Sequence, residues 1–406
     1  MVKDNFFTGQ PIFTQLLSYI PKNSINRLAK QFQTDHYCKK FDSYQHLIVM
    51  LFAGFQKCDS LRSLITGLMA WQDRLQHVGI INYPRRSTLA DANERRDCKF
   101  FEAVYYELLK VFKKKFSPDS RSRSFENRLH MMDSTTIEIF SDVMLGVGAV
   151  KLNGKRKGGV KAHMLIDGLH QIPQICYLSE AKENDRIFMD KITLLKGSIL
   201  VFDKGFTKHS QWQRWTEQDI TWVTRMNKNA YYERVEKLPV TEAQAKQGVI
   251  RDEVIWLGRG TNSSTEIIPA RRIVYYDKNK KRYFVFITNS EKLKPATIAG
   301  FYKRRWDIET NFKSIKQNFQ LRYFLGDSAN AIQIQIWCSL IVNLLIRLVM
   351  NIAAKKKWSF ANLCALIRMH LSTYVNLIAF LLAPEKALLS NIKIQPKQLK
   401  FKFNSC

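Results

Sequence analysis

The segment YKRRWDIETNFKSIK, residues 302–316, is the most informative part of this chain. Tyr302, Arg305, Glu309 and Lys316 follow one another at steps of three, four and seven residues, and on an α-helix such steps place side chains on one face. We therefore predict a helix that carries a carboxylate, two cations and a tyrosine in a single stripe. That combination suits a site that binds both a divalent metal ion and a phosphate.

Two aspartates further upstream are set in apolar, strand-like segments. Asp133 lies within 129–140, where apolar residues alternate as in a strand, and Asp203 directly follows the apolar run 199–202. The second aspartate therefore stands at the carboxyl end of a predicted central strand, where open α/β sheets bind their ligands. If both converge with Glu309, the three carboxylates could hold two Mg²⁺ ions for an in-line phosphoryl transfer.

Each carboxylate also has a structural interpretation. Asp133 could be a hydrogen-bonded strand carboxylate, and Asp203, which precedes Lys204 and Gly205, could simply form a turn. Glu309 could be an ordinary i,i+4 partner of Arg305. Spacing alone leaves these alternatives open.

The composition indicates a polyanion as the partner. The chain has 406 residues, with 64 Lys and Arg against 35 Asp and Glu, which gives a formal net charge of +29. DNA or RNA is the first candidate and an anionic membrane the second. Seven cysteines without a CxxC pair are typical of a reduced, cytoplasmic protein without zinc. The apolar stretch 332–354 is interrupted by polar residues, which favours a buried core helix over a membrane span.

The order of predicted elements divides the chain into three parts. We expect a helical domain over residues 1–120, an α/β domain over 125–325 with a β-rich insertion at about 226–280, and a helical region over 326–406. Ser117–Ser124 has the composition of a linker. Helices are predicted at 182–195 and 295–317, and strands at 129–140, 144–152, 160–166, 199–202, 220–225, 249–257, 267–276 and 283–288.

Three basic groups are candidates for DNA contacts, although each could equally be a solvated face. The first surrounds a helix predicted to begin near Ser87, the second is a predicted flexible loop, and the third is a predicted hairpin. Phosphate contacts of this kind position a protein on DNA. Their members are Arg85, Arg86, Arg95 and Arg96; Lys155, Arg156 and Lys157; and Arg271, Arg272, Lys278, Lys280, Lys281 and Arg282.

Together these motifs resemble a known family. Tyr302, Arg305, Glu309 and Lys316 match the signature Y-x2-R-x3-E-x6-K of the insertion-sequence-four transposases, which include the transposon-five enzyme. The run 133–135, DST, resembles the first-aspartate motif of that family, and the run 203–206, DKGF, resembles its second-aspartate motif. The resemblance covers roughly residues 129–320, and a four-position signature with two ordered aspartate motifs is specific.

The resemblance implies a fold, a reaction and a set of partners. The fold would be an RNase H-like α/β catalytic core with a β-rich insertion, an α-helical N-terminal DNA-binding domain and a helical C-terminal region. Asp133, Asp203 and Glu309 would bind two Mg²⁺ or Mn²⁺ ions, and Tyr302, Arg305 and Lys316 would contact phosphates. The enzyme would cut DNA at terminal inverted repeats and join the ends to target DNA, often through a hairpin intermediate, as a homodimer in the cytoplasm.

Two other interpretations share most of these residues. One is an RNase H-like nuclease that hydrolyses nucleic acid without strand transfer, and the other is an inactive DNA-binding regulator. The presence of all three carboxylates argues against the second.

Overall fold

The structure is a computed structural model that describes residues 9–116, 128–138, 150–152, 155–157, 159–180, 183–258, 267–354 and 356–386. The chain forms two compact units, one made of Met1–Phe116 together with Gln317–Cys406 and the other of Ser117–Lys316. The helices are α1 Ile12–Leu17, α2 Lys22–Gln31, α3 Ser43–Gln56, α4 Leu61–Ala70, α5 Gln72–Leu75, α6 Arg86–Arg95, α7 Cys98–Phe116, α8 Arg186–Met189, α9 His209–Glu217, α10 Glu242–Lys246, α11 Pro295–Arg304, α12 Trp306–Asn318, α13 Ala329–Ile352, α14 Phe360–Met369 and α15 Leu377–Leu382. The strands are β1 Leu129–Glu138, β2 Val150–Leu152, β3 Lys155–Lys157, β4 Gly159–Asp167, β5 Pro173–Glu180, β6 Ile199–Phe202, β7 Thr221–Arg225, β8 Tyr232–Lys237, β9 Val249–Leu257, β10 Ile268–Asp277 and β11 Arg282–Thr288.

Helix α13 is the centre of the helical unit. It packs against α3, α6, α7 and α14, and Trp337 in its middle contacts the ring of Tyr105 on α7. The helix begins at a cap in which the Ser328 side chain accepts a hydrogen bond from the N–H of Ala331. Because α13 is apolar on nearly all sides, it can be stable only when neighbouring helices surround it.

By length and composition α13 is apolar enough to cross a membrane, with a mean hydropathy of 1.8 over its most apolar 18 residues. Of that stretch, 89% is buried inside the protein, which agrees with the prediction of a core helix. The polar Gln335 is accommodated because its amide donates to the carbonyls of Gln320 and Tyr323.

The other unit is built on a nine-stranded sheet in the order β5-β4-β1-β6-β7-β11-β10-β9-β8. Strands β1, β6 and β7 are parallel, whereas every other neighbouring pair is antiparallel. All four residues of β6 are buried, as predicted for a central strand with both faces covered. One face packs on a cluster with Phe188 and Trp215, and the other packs on a cluster with Ile298 and Tyr302.

The predicted insertion extends this sheet. Strands β9 and β10 agree with the predicted strands, and β11 pairs with β7 of the main sheet, as expected. Arg271 on β10 binds both carboxylate oxygens of Asp252 on β9, at 2.8 and 2.6 Å. Its remaining nitrogen donates to the carbonyls of residues 290, 291 and 293, which precede α11. The insertion strands therefore brace the start of the helix that carries Tyr302.

Several predicted elements differ from the structure. The strand β5 was missed, and the predicted helix over 182–195 is reduced to the single turn α8. The segment 155–157, predicted as part of a flexible loop, is a short strand paired with β2. The helix near Ser87 begins at Arg86, and its N-cap residue is Arg85.

The predicted helix over 295–317 is divided at Arg305. The N–H of Arg305 donates to the carbonyl of Tyr302, and the N–H of Ile308 donates to the carbonyl of Arg305, so the chain makes tight i→i+3 turns there. Such turns wind more tightly than an α-helix and rotate the following residues about the axis. The signature therefore lies on two consecutive helices, α11 and α12, with Arg305 as the residue between them.

Candidate active site

The sheet register places the two aspartates side by side on the neighbouring central strands β1 and β6. Met132 of β1 pairs with Phe202 of the parallel strand β6. Asp133 and Asp203 are the next residues of their chains, so both stand where these strands leave the β1–β6 ladder. The two aspartates therefore lie next to each other on neighbouring strands.

Arg305 connects two of the three carboxylates. Its Nη1 lies 2.9 Å from Asp133 Oδ2, and its Nη2 lies 2.7 Å from Glu309 Oε1. The guanidinium is buried, with a side-chain exposure of 6%, and stacks near the rings of Tyr302 and Trp306. The pair with Asp133, which is 15% exposed, is thus largely shielded from water, whereas Glu309 is 37% exposed and its pair is only partly shielded.

The third carboxylate, Asp203, has a separate set of donors. The hydroxyl of Tyr302 donates to Asp203 Oδ1 at 3.1 Å, and Arg225 Nη2 lies 3.4 Å from the same oxygen. The N–H of Gly205 donates to Oδ2 at 3.2 Å. Arg225 was not predicted as a site residue, although a cation at the end of a parallel strand next to β6 was a usable signal.

These environments separate the pKa values of the two aspartates. Burial raises the pKa of Asp133 to about 6, and the charges of Asp203 and Glu309 add to this effect against the opposing charge of Arg305. Burial alone would also raise the pKa of Asp203, but the Gly205 N–H and the Arg305, Tyr302 and Arg225 side chains together lower it. Burial raises the pKa of Tyr302 to about 12, so its hydroxyl remains a donor.

Lys316, the last residue of the signature, binds the strand that carries Asp133. Its Nζ donates to Thr135 Oγ1 at 2.8 Å and to the carbonyl of Thr136 at 2.6 Å. All four residues of the signature therefore lie at or beside the three carboxylates.

The donor set has the chemistry that a divalent ion requires, but a cation already occupies part of it. Carboxylate oxygens are the ligands that hard cations such as Mg²⁺ prefer, and the charge effects on Asp133 show that Asp203 and Glu309 are near it. Among the residues that the structure describes, no three His, Cys, Asp or Glu side chains are grouped closely enough to hold a metal ion. Arg305 lies between two of the carboxylates instead.

A basic and aromatic cavity of about 180 Å³ adjoins Tyr302 and Arg305. The cationic side chains of Lys280 and Arg282 stand over the ring of Phe284, and Lys280 also stands over Trp306. Cations stacked on aromatic rings are a common surface for nucleic acid. Of the third basic group, Lys278, Lys280, Lys281 and Arg282 are exposed, whereas Arg271 is buried and Arg272 largely covered in ion pairs with acidic residues of β9.

The remaining DNA-contact candidates lie in different environments. Arg85, Arg86 and Arg95 are exposed on or beside α6. Arg96 is buried: it donates to the carbonyl of Phe41 and stacks over the ring of that residue, which is a structural role. Lys155, Arg156 and Lys157 form β3, and their side chains lie outside the described part of the chain.

Comparisons with known proteins identify the family. Residues 126–345 match the transposase DDE domain, and residues 8–81 match a domain of unknown function. Because the first match covers more than half of the chain, the protein belongs to the DDE transposase family. It is accordingly a DNA transposase, a metal-dependent enzyme that cleaves and joins DNA.

Individual relatives agree with this family. A putative transposase of Sinorhizobium fredii is 28% identical over 265 residues, which are 65% of this chain and 71% of that protein. A probable transposase for an insertion sequence element of Geobacillus stearothermophilus is 25% identical over 227 residues, or 56% of this chain and 58% of that protein. Among solved structures, a piggyBac transposase synaptic complex with hairpin DNA has a TM-score of 0.42 at 12% identity, covering 97% of this chain and 86% of that one.

Proposed function

We propose that this transposase moves its element by cut-and-paste transposition, with Asp133, Asp203 and Glu309 as the catalytic, metal-binding residues. The proposal is carried by one observation: these carboxylates and the four signature residues lie together where the β1–β6 ladder ends. Two Mg²⁺ or Mn²⁺ ions, when bound there, would supply activation of the attacking hydroxyl and stabilisation of the leaving oxygen.

The sheet supports an RNase H-like core as the scaffold. In the half-sheet β5-β4-β1-β6-β7, the first three strands are antiparallel and the last three are parallel. A mixed sheet of this order places the first aspartate in its central strand and the second on the neighbouring strand. Within this scheme residues 125–325 form the catalytic domain, and the strands of the insertion at about 226–280 lengthen its sheet.

The cations of the site would act on the DNA backbone. Arg305 can donate two parallel hydrogen bonds to a phosphate, and Lys316 supplies a point charge beside Thr135 and Thr136, two and three residues after Asp133 on β1. Tyr302 would orient Asp203 or donate to a phosphate oxygen, since its hydroxyl stays protonated. Arg225 pairs with Asp203 and adds a further cation close to the site.

Further from the chemistry, the helical N-terminal region, residues 1–120, would bind the terminal inverted repeats through Arg85, Arg86 and Arg95. The segment 155–157 would grip phosphates near the cut, and 326–406 would form a helical C-terminal region. Because an element has two ends, we propose a homodimer in the synaptic complex. The bacterial relatives support action on DNA in the cytoplasm.

A cleavage and joining assay tests the proposal. A labelled duplex that carries the terminal repeat of the element is incubated with Mg²⁺ or Mn²⁺ and a target plasmid, and cut and joined products are counted. We expect Asp133→Ala and Glu309→Ala to lower both products by more than about a hundredfold, because even residues that only hydrogen-bond to metal ligands contribute about 10–100-fold. End binding should persist in both variants.

Asp307→Ala is the matched control. Asp307 lies two residues from Glu309 on α12 but pairs with Arg304, outside the cluster of three carboxylates. Unchanged cutting by Glu309→Ala, or an equal loss in Asp307→Ala, would overturn the assignment of Glu309. Cut ends that are never joined to the plasmid would instead indicate a nuclease without strand transfer.

A further inference from the structure

Arg305 stands where two catalytic candidates would meet a metal ion. Its two terminal nitrogens bind one carboxylate oxygen of Asp133 and one of Glu309, at 2.9 and 2.7 Å. One compact, buried cation therefore satisfies two carboxylates from different elements, a strand and a helix. A divalent ion between the same oxygens would make the same two connections.

The two cations exclude each other. A guanidinium that binds one oxygen of each carboxylate takes one lone pair on each and would repel a second cation at such a short distance. A divalent ion that uses the same two oxygens would therefore bind more weakly while Arg305 stays in place.

A cavity next to the site provides a second environment for the Arg305 side chain. Its side chain lines the cavity beside the site together with the cations Arg225, Lys280, Arg282 and Lys303, which outnumber the one acidic lining residue, Asp277. A DNA phosphate in this cavity would be surrounded by cations and would attract the guanidinium, which forms two parallel hydrogen bonds to phosphate as readily as to carboxylate. The i→i+3 turn at Arg305 places this residue between two helices, where a change of side-chain direction disturbs neither helix.

We propose that Arg305 makes metal binding depend on DNA. In the DNA-free enzyme its guanidinium takes the place of a divalent ion between Asp133 and Glu309, and a bound DNA phosphate draws it away so that the metal site can fill. The proposal rests on the proposed function, because it takes these two carboxylates as metal ligands. The proposal explains why the site would bind divalent ions weakly in the protein without DNA.

The test measures binding of Mn²⁺, through the loss of the spectrum of free Mn²⁺ in electron paramagnetic resonance, without any cleavage step. In the absence of DNA, Arg305→Met should bind Mn²⁺ about tenfold to a hundredfold more tightly than the wild type, because two charge-assisted hydrogen bonds no longer compete. Arg305→Gln provides a second variant in case the first fails to fold. A merely structural role for Arg305 would weaken metal binding and would not tighten it.

Arg304→Met is the matched control. Arg304 carries the same charge one residue away but donates to the carbonyl of Gly168 and pairs with Asp307. Its removal should leave the Mn²⁺ affinity within about twofold of the wild type, since its guanidinium binds Gly168 and Asp307 and neither Asp133 nor Glu309. Equal gains in Arg304→Met and Arg305→Met would show a general charge effect and would overturn the proposal, as would no gain in either Arg305 variant.

A further comparison separates this proposal from the proposed function. Wild type bound to an already cut end duplex should gain Mn²⁺ affinity, and Glu309→Gln on the same duplex corrects for ions held by the DNA. If Glu309→Gln does not reduce the Mn²⁺ bound by the complex, the metal-ligand assignment itself fails. If it does, yet Arg305→Met without DNA shows no gain, only the role of Arg305 fails.

Discussion

The buried ion pair between Arg271 and Asp252 allows a quantitative prediction for Asp252→Ala. The side chains are only 8% and 3% exposed, and Arg271 binds both oxygens of its partner. Removal of Asp252 would leave a buried guanidinium whose charge is uncompensated, because its other acceptors are neutral carbonyls. Breaking a buried pair in this way costs about 3–5 kcal/mol of unfolding free energy.

Urea unfolding followed by circular dichroism measures this loss. The control is Asp91→Ala, which removes an i,i+4 pair with Arg95 whose partners are 52% and 78% exposed. We expect a change of at most about 0.5 kcal/mol there. The double variant Asp252→Leu with Arg271→Met, which removes both charges, should be more stable than Asp252→Ala. A loss below about 1 kcal/mol in Asp252→Ala would refute the reasoning, since the pair would then behave like a surface pair.

Three further predictions concern single residues. Burial raises the pKa of Asp133 from 3.8 to about 6, so its ionisation destabilises the fold as the pH rises. Without metal ions, wild type should lose about 2 kcal/mol of unfolding free energy relative to Asp133→Asn between pH 4 and pH 7. A constant difference between the two in urea unfolding would contradict this. Asn343 is fully buried on α13, and neither polar atom of its side chain has a partner among the described residues. Asn343→Leu should therefore raise the unfolding free energy by about 1–2 kcal/mol in urea unfolding. A decrease in the unfolding free energy would show that the Asn343 side chain has a hydrogen-bond partner. Lys316→Gln should slow cleavage at saturating DNA by about tenfold or more, whereas the exposed Lys313→Gln on the same helix should not, and equal rates for the two would exclude a specific role for Lys316.

The convergence of the site could be predicted because it depends on strand ends and spacing. An apolar run followed by Asp203, an alternating run containing Asp133 and a helix with Glu309 give their positions once the sheet order is known. The break at Arg305 could not be predicted in this way. Helical spacing predicts the i,i+4 contact of Arg305 with Glu309, which the structure has, but the contact of Arg305 with Asp133 joins residues 172 positions apart and cannot be read from spacing.

The errors have a common physical origin in contacts between residues that are distant in sequence. Arg96, Arg271 and Arg272 are predicted as DNA contacts, but Arg96 and Arg271 are buried and Arg272 is largely covered, each by a partner outside its own element. Strand β5 begins at Pro173 and lies at the edge of the sheet, so its residues carry only a weak alternating pattern. Such partners are distant in sequence, so the residues around each arginine do not indicate them.

The discontinuous helical unit has a consequence for the time at which the protein becomes complete during synthesis. Helices α3 and α7 pack against α13, which leaves the ribosome only after about 210 further residues have been added following α7, a delay of at least about ten seconds at bacterial rates. Until then the apolar faces of the first helices lack their main partner and are open to chaperones. A chain truncated before α13 would therefore carry all three catalytic candidates and still be unable to finish its helical unit, so truncated copies of the gene should yield proteins that are degraded and do not compete with the intact enzyme.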